Sequence, residues 1–365
     1  IQEVIGKKGV WLASQNPSWK DIIYTKNLDE ETWHTGTHPE RLKYLSQLRA
    51  EDPQKARQLT EASWEQETPE NRALFIEKFR IGLNIEDEPF LEKCLDDSRK
   101  PVRHMAAILL SCLPASGLCK RMTERLLHLV TYHSGKKGLL LSKKPTIEVV
   151  LPDISDQSLL RDGADPQKAG KLGQKAVAFA NIIAAVPLQV WHQMDRDIEA
   201  LLHTVLSCDF SESFSLGLSA ATIRQQNPEW ASFILRNYPV FIAKAPSAGT
   251  ISVDLPGLIN CLTPEKREAI IVAFAEKNSA SKQGEVLNEF LLSCDHAWSE
   301  DFSQFAFQFL RQHYIKNLGN YQLRRPMIET FSLRLSPHIA EQVSAGWPTH
   351  SNRFTAGDEK MVDQL

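Results

Sequence analysis

From Val102 onward, apolar residues recur at i, i+4, i+7, i+8 and i+11: Val102, Ala106, Leu109, Leu110 and Leu113. At 3.6 residues per turn these positions share one stripe, so the spacing predicts a helix that buries one face. The stretch ahead of it reads as a helix start. Asp97 can accept from the free N–H groups of a first turn, and Pro101 supplies a preset φ early in the helix. Helical periodicity of this kind dominates the chain and strand-like alternation is scarce. Proline and Gly/Asn/Asp clusters break it at the spacing of helix–turn–helix units. With 365 residues, there is room for a stack of roughly 15–20 helices of about 12 residues each.

Part of the pattern occurs twice. Thr68-Pro69-Glu70-Asn71-Arg72 through Ile76 and Phe79 matches Thr263-Pro264-Glu265-Lys266-Arg267 through Ile271 and Phe274 at identical internal positions. In each, Thr is placed to cap a helix, Pro to open it, and Glu to face the positive end of the helix dipole. A second apolar helix follows each copy, then an acidic turn at Asp96-Asp97 or Asp295. A third helix comes next, with Val102 and Ala106 in one case and Phe302 and Ala306 in the other. Asn16-Pro17-Ser18-Trp19 and Asn227-Pro228-Glu229-Trp230 precede the two copies, and Leu206-Ser207-Cys208-Asp209 echoes Leu292-Ser293-Cys294-Asp295.

These matches organise the chain into a helical half over 1–135, an insertion over 136–170, a second helical half over 171–343 and an irregular tail over 344–365. Within the insertion, Gly138–Leu141 and Thr146–Leu151 flank Lys143-Lys144-Pro145, which reads as a β-hairpin or extended segment near 136–152. Arg161-Asp162-Gly163 reads as a turn. Helical sequence precedes the second Asn-Pro-x-Trp but not the first, so the duplication leads us to expect at least one helical pair ahead of Ile1.

Composition narrows the picture only slightly. Apolar content of 42% and charged content of 24% are those of an ordinary globular protein. A net charge of −3 argues against a surface built throughout for nucleic acid. The six cysteines form no C-x-x-C pair and most sit in apolar helical runs, which points to a reducing cytoplasm. No run of 18 apolar residues and no signal-like N-terminus occurs.

The segment Asp97–Leu113, with Val102-Arg103 and the Ala106-Ala107 and Leu109-Leu110 pairs after an acidic turn, is how the inner helix of a HEAT-type α-hairpin begins. The expected fold is therefore an all-α, HEAT-like α-α superhelix of stacked antiparallel helix pairs with the small insertion. Trp11-Leu12 with Asn16-Pro17-x-Trp19, the segment Asp87-Glu88-Pro89-Phe90-Leu91-Glu92, the turn and helix over 96–113, and Arg121-Met122 together resemble an uncharacterised bacterial HEAT-like family. The resemblance is closest over 9–125 and looser onward through Val186-Pro187 and Trp191. It implies gene neighbours encoding a MoxR-type AAA+ ATPase, a von Willebrand factor A protein and a SWIM zinc-finger protein. It thus implies an accessory role in an ATPase-centred assembly. It supplies no catalytic residues.

The candidate chemistry reads mostly as architecture. His34 and His38 have the four-residue spacing of a helical zinc pair, but Gly36 and Pro39 favour a loop and the protease Glu is missing. His128 and His133 lie five apart, which on one helix points them to different faces. Glu86-Asp87-Glu88 and Asp195-Arg196-Asp197-Ile198-Glu199 place acids where helix starts want them. Arg103 is expected to reach the acidic turn at Asp96 or Asp97. We therefore assign no catalytic, cofactor-binding or metal-binding residue and no cofactor. The structural repeat residues are Asp97, Val102 and Arg103. Basic pairs at Lys136-Lys137, Lys143-Lys144 and Arg324-Arg325 are the candidate contacts for an acidic partner or phosphate.

Two functional classes follow. One is a non-enzymatic protein-interaction scaffold, since an amphipathic helix pair cannot bury its apolar face alone and stacked pairs expose a long binding surface. The other is a HEAT-like nucleic-acid-binding protein or DNA glycosylase, which needs a basic concave face and a steep salt dependence. The acidic net charge and the clustering of Lys and Arg at one insertion favour the scaffold.

Overall fold

The computed structural model describes residues 11, 15, 29–135, 144–164, 172–239, 241, 253–277, 284–316, 331 and 333–345. Over these the protein is mostly helical with one two-stranded antiparallel sheet, the all-α architecture with a small β insertion that the periodicity predicts. The chain forms two compact units, Ile1–Ser116 with Arg161–Gly163, and Gly117–Leu160 with Ala164–Leu365.

In the first unit, α1 (Glu30–Thr35) opens with a capping box in which Asp29 accepts from the Thr32 backbone and the Thr32 hydroxyl accepts from the Asp29 backbone. α2 (His38–Glu51) and α3 (Pro53–Ser63) follow. Trp33, Tyr44, Leu45, Leu48, Ala56 and Phe75 pack into one core cluster. α4 (Pro69–Glu77) begins as the sequence indicates: extended Thr68 accepts from the Asn71 N–H at 3.3 Å and Pro69 opens the helix. After α5 (Glu88–Cys94), the apolar stripe of α6 (Lys100–Ser111) is realised, with Val102, Ala106, Leu109 and Leu110 wholly buried. Asp97 is not the cap of α6. It accepts from the Arg99 N–H at 2.8 Å, forming a turn one step ahead of the helix, whose N-cap is Arg99.

The second unit opens with α7 (Gly117–Leu129), which runs directly into β1 (Val130–His133). β1 pairs with β2 (Thr146–Val149) in the register Val130↔Val149 to His133↔Thr146. The strand opposite Thr146–Val149 is therefore Val130–His133, and Gly138–Leu141 lies outside the described residues. Val130, Thr131 and Tyr132 are β-branched or aromatic, so the chain leaves helical geometry there. His128 and His133 consequently do not share a helix.

A short α8 (Gln157–Arg161) precedes α9 (Gln174–Ala185), α10 (Leu188–Met194), α11 (Ile198–Leu206) and α12 (Ser211–Arg224). α9 and α12 pack closely against each other at Gly217. A Cβ built on Gly217 of α12 would lie 2.5 Å from Ile183 Cβ and 2.7 Å from the Ala180 carbonyl oxygen. Phe179 and Phe214 close the same interface edge to face at 5.3 Å. Gly217→Ala should therefore lower stability by about 1–3 kcal/mol through overpacking. Chemical denaturation checks this, and an unchanged midpoint would show that the two helices separate freely.

α13 (Pro228–Arg236) starts with Asn227 accepting from the Glu229 and Trp230 N–H groups, which accounts for the second Asn-Pro-x-Trp. Trp230 is buried and its indole N–H donates to His192 Nε2 at 3.1 Å. The first Asn-Pro-x-Trp lies outside the described residues. α14 (Leu255–Asn260), α15 (Pro264–Lys277), α16 (Gly284–Ser293), α17 (Glu300–Lys316) and α18 (Ala340–Ala345) complete the described helices. No described helix is long and apolar enough to cross a membrane.

Candidate functional site

The turn between α5 and α6 gathers three arginines. Arg72 of α4 donates to Asp97 Oδ2 at 2.7 Å, on a carboxylate almost wholly removed from solvent. Arg103 donates to the backbone carbonyls of Asp97 and Ser98 at 2.7 and 2.9 Å, so it reaches the turn through main-chain oxygens rather than through a carboxylate. Arg161 grips both oxygens of Asp96, at 2.6 Å from Nε and 2.8 Å from Nη2, and also donates to the Glu92 carbonyl. That hydrogen-bonded guanidinium holds the Asp96 carboxyl below its ordinary range. Gly163 makes the docking of this segment sterically feasible: at φ +88° it sits so close to α6 that a Cβ would lie 2.5 Å from Ala107 Cβ.

Beside this turn lies a cleft of about 530 Å³. Trp64 and Phe90 meet edge to face at 5.0 Å beneath it, and the Arg72 guanidinium lies 5.7 Å from the Trp64 ring centre. Glu61, Glu65 and Lys93 line it as exposed side chains without a hydrogen bond or ion pair among the described residues, and Asp96 and Ser98 complete it. Its chemistry is polar: carboxylates that accept, an ammonium that donates, and a guanidinium held from below by Asp97.

The second copy of the motif builds the same ion pair. Arg267 donates to Asp295 at 2.7 Å, as Arg72 does to Asp97. Phe274 and Phe290 stack at 4.9 Å where Phe79 and Phe90 meet at 5.4 Å. Phe90-Leu91-x-x-Cys94 and Phe290-Leu291-x-x-Cys294 extend the match, with all six side chains buried. Burial pushes the Cys294 thiol up to about 12 and raises Cys94 as well. Both should resist alkylation at about pH 8 in the folded protein and react once it is denatured. Mass spectrometry of labelled peptides reads this, and rapid native labelling of either would contradict its burial.

A buried ion pair in the first unit escapes any reading of sequence motifs. Asp87, wholly buried, accepts from Arg49 at 3.0 and 2.8 Å, from Arg57 at 3.1 Å and from the Asn84 N–H at 3.2 Å. Asp87 is thus structural. The other acid cluster caps and anchors: Asp195 accepts from the Tyr132 hydroxyl at 2.7 Å, and Asp197 caps α11 through the Ala200 N–H. His34 and His38 stand on α1 and α2 with the break at Gly36-Thr37 between them. Both His38 ring nitrogens are buried without a partner, and its ring packs 5.4 Å from Phe75. All six cysteines are free thiols. Among the described residues no group of three or more potential ligands could hold a metal ion. Of the basic pairs, Lys144 is exposed ahead of β2, while Lys136, Lys137, Lys143, Arg324 and Arg325 lie outside the described residues.

These features define an all-α protein whose arginine–aspartate pairs pin helices at acidic turns. Its full length, residues 1–365, matches the model of a family of unknown function, DUF5691, and the chain belongs to that family. No curated protein and no solved structure matches it.

Proposed function

We propose that this protein is a non-enzymatic interaction scaffold, a cytoplasmic accessory subunit built from duplicated HEAT-like helical units. The observation that supports this most is the shared construction of the two copies. Each spends its motif Arg on pinning an acidic turn and its motif Phe on packing, as structural modules do. The turn of the first copy also borders a polar cleft with unengaged carboxylate and ammonium groups, which suits recognition of another polypeptide. Its family resemblance points to an assembly of a MoxR-type ATPase and a von Willebrand A protein as the partner. Affinity purification of the full chain from its native cells, quantified by mass spectrometry, tests the reading. A partner recovered in near-stoichiometric amount is expected. Recovery of the chain alone would overturn the scaffold, and a different stoichiometric partner would overturn the ATPase assignment.

A further inference from the structure

We infer that His192 is a proton-operated switch, which fastens Trp230 of the second Asn-Pro-x-Trp to α10 when neutral and turns to Glu229 when protonated. The inference is independent of the scaffold reading. It stands on one nitrogen placed between two neighbours of opposite kind. His192 Nε2 lies 3.1 Å from the Trp230 indole nitrogen and 4.0 Å from a Glu229 carboxylate oxygen. The two rings cross at 86° with centres 5.8 Å apart, so they meet through the hydrogen bond and not as a stack. An indole N–H only donates, and an ionised carboxylate only accepts. Without a proton, Nε2 accepts from Trp230 and turns a lone pair toward Glu229. With a proton, it faces the indole donor as a second donor and is drawn to the carboxylate. One ring nitrogen cannot serve both neighbours in the same state.

Burial separates the two partners. Trp230 is wholly buried, while the Glu229 side chain is 63% exposed and that of His192 26%. The neutral ring therefore holds a buried group, and the protonated ring moves toward a solvated one. Among the described residues Glu229, from α13, is the acid within ion-pair reach of the ring. α10 carries no other charged side chain. Beyond its end Asp195 accepts from the Tyr132 hydroxyl and the Asp197 N–H, and Arg196 is exposed. At the end of α12, Arg224 donates to the Ala184 carbonyl, while uncharged Gln225 accepts from the Leu188 N–H and donates to the Val186 carbonyl. The start of α10 is thus held independently of His192. Protonation leaves the buried indole N–H without its acceptor, which loosens α13 from α10. The Trp230 bond is present at high pH and lost as pH falls, and the Glu229 pair forms in the same step.

The test is nitrogen–proton correlation spectroscopy of the full-length protein, whose eight tryptophans each carry one indole N–H. The Trp230 signal is identified by its nuclear Overhauser contact with the His192 ring. On acidification from about pH 8 to about pH 5, the span in which imidazoles titrate, that signal should move upfield in one step. Its exchange with water should rise about tenfold as the bond is lost, with the helical circular dichroism unchanged. His192→Gln should abolish the step and keep the hydrogen-bonded position, because an amide oxygen accepts from the indole at every pH. Glu229→Gln should move the step to lower pH, since the imidazolium then lacks its carboxylate. A Trp230 signal unmoved across the range, a step that survives His192→Gln, or a step at the parental pH in Glu229→Gln would each overturn the switch. Collapse of all eight indole signals to unfolded positions before Trp230 moves alone would overturn it too, since release would then be unfolding.

Discussion

Asp87→Ala should cost about 3–5 kcal/mol of stability, because it strands a fully buried arginine. Arg49 uses its whole donor set inside the first unit. Nε donates to the Ile81 carbonyl, Nη1 to the Pro53 carbonyl and Asp87, and Nη2 to the Phe79 carbonyl and Asp87. Neither side chain of the pair has solvent access. Removing the carboxylate leaves a cation that water cannot reach, with Arg57 also losing a partner at 3.1 Å. Replacing both members together, as Arg49→Met/Asp87→Leu, should cost much less than the sum of the single changes, since no unpaired charge is then buried. Thermal or urea unfolding of the three variants decides the matter. A loss below about 0.5 kcal/mol for Asp87→Ala would mean that the pair is hydrated.

The second large effect is expected on the stripe of α6. Val102 and Leu109 are wholly buried. Val102→Asp would place an unpaired carboxylate among Ala106, Leu109 and Leu110, and should leave the first unit unable to fold at ordinary temperature. Leu109→Ala should cost about 2–5 kcal/mol through lost transfer energy and a residual cavity. Circular dichroism and denaturant midpoints read both. Near-parental stability of Val102→Asp would show that the stripe does not face the core.

The helices were legible because their signals are local and redundant. Val102, Ala106, Leu109 and Leu110 announce their face by spacing, and Thr68-Pro69 and Asn227-Pro228 announce their helix starts by capping chemistry. The paired motifs also agree in their side chains, since Arg72 and Arg267 occupy matching positions and each donates to the aspartate of an acidic turn. The first strand was harder. Val130–His133 continues a helix without a Gly or Pro between, and only its pairing with Thr146–Val149 separates it from another helical turn.

The cleft and the buried pair were not legible for a different reason. Arg49 follows Leu42 and Leu45 at helical spacing, a hint that it lies on an inward face, but its partner Asp87 is distant in the chain and sits among other acids. Trp64, Glu61 and Lys93 come together only through the packing of α3, α4 and α5. Asp96, Asp97 and Arg103 are close in sequence, yet which arginine holds which oxygen depends on Arg161 arriving from far along the chain.

The most direct test of the scaffold is the native mass of the protein in gently lysed cells, measured by size-exclusion chromatography with light scattering on tagged material. The account predicts a species well above the 41.3 kDa of the chain, containing a second protein in fixed ratio. Migration of the whole pool at the mass of one chain, with no second protein bound, would contradict it.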